Sequence, residues 1–82
     1  MAILVPHFRL AKLLGQSQVE TQATTVKALF AEVERRVSPE EYQSAVRAAV
    51  LVNGRNIHYL SGMDTPLGPD DQVWMVFPSA GG

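Results

Sequence analysis

The stretch Gln72-Val73-Trp74-Met75-Val76-Phe77-Pro78-Ser79-Ala80-Gly81-Gly82 decides how this chain reads. Gln72 to Phe77 is an apolar, β-rich run that stops at Pro78. Side chains alternate along a strand, so Val73, Met75 and Phe77 share one face while Trp74 and Val76 share the other. A strand apolar on both faces belongs inside a sheet rather than on a half-wet one. Ser79, Ala80, Gly81 and Gly82 then carry the chain to a carboxylate with almost no side-chain bulk. Glycine has no Cβ, so such a backbone passes through a narrow slot. This tail reads as an arm made for insertion into another protein's active site.

Two earlier segments are apolar on both faces as well. The first strand is expected over Ala2 to Leu10, with Leu4 and Phe8 on one side and Ile3 and Val5 on the other. Pro6 lies inside it and removes a ladder donor, so a bulge or local unpairing is expected there. A third strand over Ala48 to Val52 sets Val50 and Val52 against Ala49 and Leu51. Asn53-Gly54 follows it directly, and both residues tolerate the positive φ of a type I′ hairpin turn. Arg55 to Leu60 then returns as a fourth strand, and Ser61 to Asp71 is a long connection rich in Gly, Pro and Asp.

Between these strands lie a turn at Gly15, a second strand within Gln16 to Gln22, and the clearest helix. Val26, Leu29, Phe30, Val33 and Val37 fall on one helical stripe, with Thr25 placed to cap it. The residue before Pro39 is pushed out of the α region, which ends this helix at Ser38. Ser38-Pro39-Glu40-Glu41 combines capping-box spacing with proline at the first helical position, so a short second helix starts there. The reading is an α+β domain in the order β-β-α-α-β-β-β.

The totals narrow the function. A chain of 82 residues is one small domain, and 46% hydrophobic against 18% charged residues makes it globular rather than disordered. A net charge of -1 leaves no basic stripe, so nucleic acid is not an expected partner. There are no cysteines, which excludes disulfides, thiolate metal sites and a Cys nucleophile within the chain. No apolar run is long enough to span a bilayer, so no membrane partner is expected. Met1-Ala2-Ile3-Leu4-Val5-Pro6 lacks the basic start of a signal peptide, and cytoplasm is the default.

Chemistry-bearing residues are sparse. His7 and His58 have no second ligand at metal spacing, so both read as structural or surface histidines and no metal is expected. Asp70-Asp71 on a proline-containing loop reads as a turn former. Ser79 has no base near it in sequence, and Gly62 and Gly68 are too sparse to cradle phosphate. The chain by itself carries no catalytic constellation. The doubly apolar strands leave two explanations. A helix or loop covers the far face, with Trp74 filling the sheet edge, or an exposed patch of Trp74, Val76, Leu51 and Val5 docks a partner close to Phe77 and the tail.

Read together, several segments resemble the MoaD/ThiS family of ubiquitin-like sulfur carriers. They are the helix start Thr25-Val26-Lys27-Ala28-Leu29, the hairpin Val52-Asn53-Gly54, the segment Arg9 to Gly15, the turn from Leu67 to Val73, and the last strand running into Gly81-Gly82. The resemblance covers essentially the whole chain and is nearest the molybdopterin synthase small subunit in length and first segment. Gly68-Pro69-Asp70-Asp71 departs from the family's turn, and His58 to Thr65 is longer than its pattern. The implied fold is a ubiquitin-like β-grasp over 1–78, a mixed five-stranded sheet on one main helix plus a short second helix, with 79–82 as a flexible Gly-Gly tail.

The resemblance also implies a mechanism. An E1-like adenylating enzyme spends ATP on the Gly82 carboxylate, and a sulfur donor turns the adenylate into a thiocarboxylate. A sulfur-accepting enzyme, such as the molybdopterin synthase large subunit, then receives the tail. The chain itself binds no cofactor. Conjugation of Gly82 to a lysine, or sulfur delivery to thiamine or cysteine biosynthesis, stand as alternatives.

Overall fold

The computed structural model describes residues 1–76, so the readings placed on Phe77, Ser79, Ala80, Gly81 and Gly82 lie outside the described residues. Five strands form one mixed sheet in the order β2-β1-β5-β3-β4. They are β1 (Ala2–Val5), β2 (Val19–Thr21), β3 (Ala49–Val52), β4 (Arg55–Asn56) and β5 (Gln72–Val76). β1 and β5 run parallel, and the other pairings are antiparallel. The three doubly apolar strands therefore occupy the three central positions.

The helices are α1 (Phe8–Leu14), α2 (Val26–Arg36) and α3 (Pro39–Ala45). α2 begins where Thr25 Oγ1 accepts from Ala28 N at 3.1 Å. Its stripe of Val26, Leu29, Phe30 and Val33 is buried against Leu4, Val50, Val52, Val73 and Met75 of the sheet, and Val37 packs partly on the same core. Thr21 on β2 ties to this helix, its hydroxyl donating to the Glu32 carboxylate at 3.0 and 3.1 Å. α3 carries the full capping box, with Glu41 N donating to Ser38 Oγ and Ser38 N donating to Glu41 Oε1.

Three expectations need correction. The first strand does not reach Leu10, since pairing stops at Val5; at Pro6 the outcome is the local unpairing expected there, not a bulge, and it ends the strand. His7 stays extended and its Nδ1 accepts from Leu10 N at 3.1 Å, which caps α1. Arg9-Leu10-Ala11-Lys12-Leu13-Leu14 are good helix formers and continue it. The helix stops at Gly15, whose φ of 73° accepts the left-handed closing turn with its N–H on Ala11 O. Phe8 accordingly lies on this helix at 73% exposure and not beside Leu4 in the sheet, while Leu10 is the residue that enters the core.

The fourth strand is likewise only two residues long. The Asn56 side chain accepts from His58 N at 2.8 Å, and this cap bends the chain into a 3₁₀ turn over Ile57–Tyr59. A second such turn, Gly62–Asp64, breaks the long connection. The hairpin itself stands as read, with Asn53 at φ 51° and Gly54 at φ 87°.

Candidate functional site

Strand parity creates the site. On β5, Val73 and Met75 are buried beneath α2, so Trp74 and Val76 must face the other way. Trp74 stands level with Val5 on one side and Leu51 on the other, and Val76 stands opposite Ala49. Ile3 pairs with Gln72 one step earlier on the same face. Trp74 and Val76 remain 42% and 39% exposed, and Ile3, Val5, Ala49 and Leu51 are half-buried. No charged side chain interrupts these six residues. The sheet edge is not where Trp74 sits, since β5 is the central strand.

The structure thus brings together four residues singled out from the sequence: Trp74, Val76, Leu51 and Val5. It adds Ile3 and Ala49 to the patch expected from the sequence. Parity points to them, because Ile3 shares a face with Val5 and Ala49 with Leu51. Glu20 opposite Ile3 and Asn56 opposite Leu51 give the patch polar margins. An apolar centre with a polar rim is the usual anatomy of a protein interface.

Polar contacts at the other end of β5 fix its register. Asn53 N donates to Gln72 O at 2.9 Å, and Gln72 N donates to Asn53 Oδ1 at 2.9 Å. Asn53 Nδ2 donates to Asp71 Oδ1 at 2.8 Å, and Gly68 N donates to Asp71 Oδ2 at 2.7 Å. The Gly68 amide and then the Asn53 amide hold the Asp71 carboxyl below the usual carboxylate range. The turn that departs from the family pattern therefore does the work of a clamp. Gln72 Oε1 also accepts from Trp74 Nε1 at 3.3 Å, which lays the indole along its own strand.

Chemistry at this surface is limited to desolvation and docking. His7 is buried as a helix cap and His58 is exposed beside Tyr59, so the structure does not bring the histidines into one site. Asp70 and Asp71 sit in the turn before β5, with Asp71 committed to the clamp. Among the described residues no three His, Cys, Asp or Glu side chains are grouped to hold a metal ion. No helix among them is long and apolar enough to cross a membrane. The burial of Tyr42, aided by Glu34, raises its phenol above the ordinary value, and it packs on the core rather than at this face.

Solved structures share this architecture. A chain of the BexX/CysO complex from Amycolatopsis orientalis superposes with a TM-score of 0.80 at 20% identity, covering 100% of each chain. The small archaeal modifier protein 1 from Methanosarcina acetivorans superposes with a TM-score of 0.73 at 18% identity, covering 99% of this chain and 95% of that one. Both likenesses establish the ubiquitin-like β-grasp fold. No curated protein matches the sequence at a significant level. The sequence profile of the ThiS family matches residues 8–82. That match spans nearly the whole chain, from the first turn of α1 to Gly82, and the chain belongs to the ThiS family of ubiquitin-like sulfur carriers.

Proposed function

We propose that this protein carries sulfur as a thiocarboxylate on Gly82 for molybdopterin synthesis in the cytoplasm. The family match, which runs through Gly82 itself, is the observation that carries the reading. A terminal carboxylate with a pKa of about 3.5 is ionised and unreactive at neutral pH. An E1-like enzyme attaches AMP from ATP to it and releases pyrophosphate. A sulfur donor displaces AMP and leaves the thiocarboxylate, which a second enzyme then consumes. Length and the α1 segment favour the large subunit of molybdopterin synthase as that second enzyme.

Reach dictates a docking step. Ser79 to Gly82 extend at most about 13 Å at about 3.3 Å per residue, so the folded domain must sit at the mouth of each partner's site. The Trp74 face surrounds the strand that delivers the tail, and it supplies apolar area for this docking. That one neighbour was solved in a complex fits a protein that works by docking.

The other neighbour is called a modifier, and conjugation of Gly82 to lysine is the competing outcome. Intact mass spectrometry of the native protein separates them. A gain equal to one sulfur-for-oxygen exchange supports the carrier. Lysine-linked conjugates bearing a Gly-Gly remnant, with no thiocarboxylate, would replace it with the modifier.

A further inference from the structure

A second concave surface lies between α1 and α3, away from the Trp74 face. It encloses about 350 Å³ and is walled by Phe8, Arg9, Lys12 and Leu13 of α1 with Glu41 and Ser44 of α3. Phe8 and Leu13 are 73% and 44% exposed there, a large apolar display for so small a domain. Lys12 Nζ stands 5.1 Å from the centre of the Phe8 ring. Arg9 and Lys12 are both exposed and sit three residues apart on one helical face. Among the described residues the one carboxylate in the wall, Glu41, is turned to its own helix end, where it accepts from Ser38 N at 3.0 Å.

Topology sets this groove at the root of the tail. β5 lies between β1 and β3. β1 leads through Pro6 and His7 into α1, and β3 is entered from α3. Val5 is level with Trp74 in the parallel pair and Ala49 with Val76 in the antiparallel one, so Val76 lies at the end of the sheet where β1 leads to α1 and α3 leads to β3. Val76 ends the described part of β5 between the two strands whose helices wall the groove. Residues 77–82 span at most about 20 Å at about 3.3 Å per residue. α1, at about 1.5 Å per residue, is only about 10 Å long. The reach is ample.

The chemistry matches as well. Phe77 is apolar like Phe8 and Leu13, Gly81 and Gly82 have no side chains to exclude from a narrow cleft, and the Gly82 carboxylate complements two cations. We propose that residues 77–82 dock back into the α1–α3 groove with the Gly82 carboxylate on Arg9 and Lys12, so that the carrier holds its own tail until the activating enzyme displaces it. This rests on the reading of Gly82 as the reacting terminus. Adenylation moves the negative charge from the carboxylate to the AMP phosphate, so release of the tail falls to the activating enzyme that takes hold of the adenylate.

The absence of cysteine allows one clean test on the full chain. A nitroxide on Gln43→Cys, an exposed α3 position outside the groove wall, broadens nearby amide signals in ¹⁵N spectra. The proposal expects loss of the Gly81 and Gly82 signals in the otherwise unaltered chain. Their recovery is expected in the R9Q/K12Q background and at about 1 M salt, where screening shortens to about 3 Å. Equal broadening with and without the two cations would overturn it. The rate of ATP-dependent adenylation supplies a second readout. R9Q/K12Q should be adenylated faster than the parent, and a slower rate would make the groove a contact for the enzyme instead. Failure of the carrier reading shows separately, as absence of adenylate or thiocarboxylate on the parent chain whatever the spectra report.

Discussion

Replacing Trp74 by alanine tests the docking face most directly. The indole is 42% exposed in the isolated domain. A tryptophan buries up to about 250 Å², so about 100 Å² remains for a partner to cover. At about 25 cal/mol per Å², covering it contributes about 2.5 kcal/mol, which is about seventyfold in Kd. The rest of the side chain is already covered within the domain, so Trp74→Ala also lowers fold stability. Binding must therefore be measured well below the unfolding midpoint of the variant. Titration calorimetry against the activating enzyme then gives the loss in Kd. Trp74 is the only tryptophan in the chain, so against a tryptophan-free variant of the enzyme its fluorescence reports the same event independently. Docking should shift its emission to the blue as water leaves the indole. An unshifted emission in the formed complex, with Kd changed by less than about twofold, would refute the assignment of this face.

Other perturbations separate the fold from the tail. Phe30→Ala removes a side chain that is only 4% exposed, and it should cost about 3–5 kcal/mol in chemical denaturation. Gly81→Ala should leave the melting temperature of the domain nearly unchanged while slowing adenylation, and a large fall in melting temperature would make Gly81 part of the folded core instead of the reacting tail. Asp71 has a folded pKa depressed by the Gly68 and Asn53 amides. Its contribution is present above the unfolded carboxylate value of about 3.9 and is lost as pH falls through the lower folded value. Asp71→Asn should therefore lose stability at neutral pH and show a shallower decline in acid, and an acid limb identical to the parent would remove Asp71 from the clamp.

The sequence made some elements legible because their signals are local. The stripe Val26, Leu29, Phe30, Val33 and the box Ser38-Pro39-Glu40-Glu41 each state a helix and its start within a few residues, and both helices form there. Asn53-Gly54 likewise states its own turn. α1 was hidden because its cap is a histidine, outside the usual Ser, Thr, Asp and Asn set, and because Pro6 sits among apolar residues that also suit a strand. β4 was read too long because Ile57 to Leu60 were counted as strand residues, although the Asn56 side chain caps the turn that starts there. Of the site, parity alone exposed Trp74 and Val76. Which residues of β1 and β3 flank them depends on register, and register is decided by the clamp between Asn53, Asp71 and Gln72, whose members lie up to 19 residues apart.

That clamp explains how a small domain keeps two faces distinct. A slip of one residue along β5 would carry Trp74 into the core and push Val73 or Met75 to the surface, since side chains alternate with period two. Hydrophobicity opposes such a slip only weakly here, because both faces of β5 are apolar. Tryptophan is too large for the space beneath α2 that Val73 and Met75 fill, so packing supplies part of the discrimination. The paired bonds between Asn53 and Gln72, braced by Asp71, supply the rest by fixing where β5 starts. Fixing its start fixes its end. Val76 is thereby held opposite Ala49, two residues beyond the pair of Trp74 and Val5, by hydrogen bonds at the opposite end of β5.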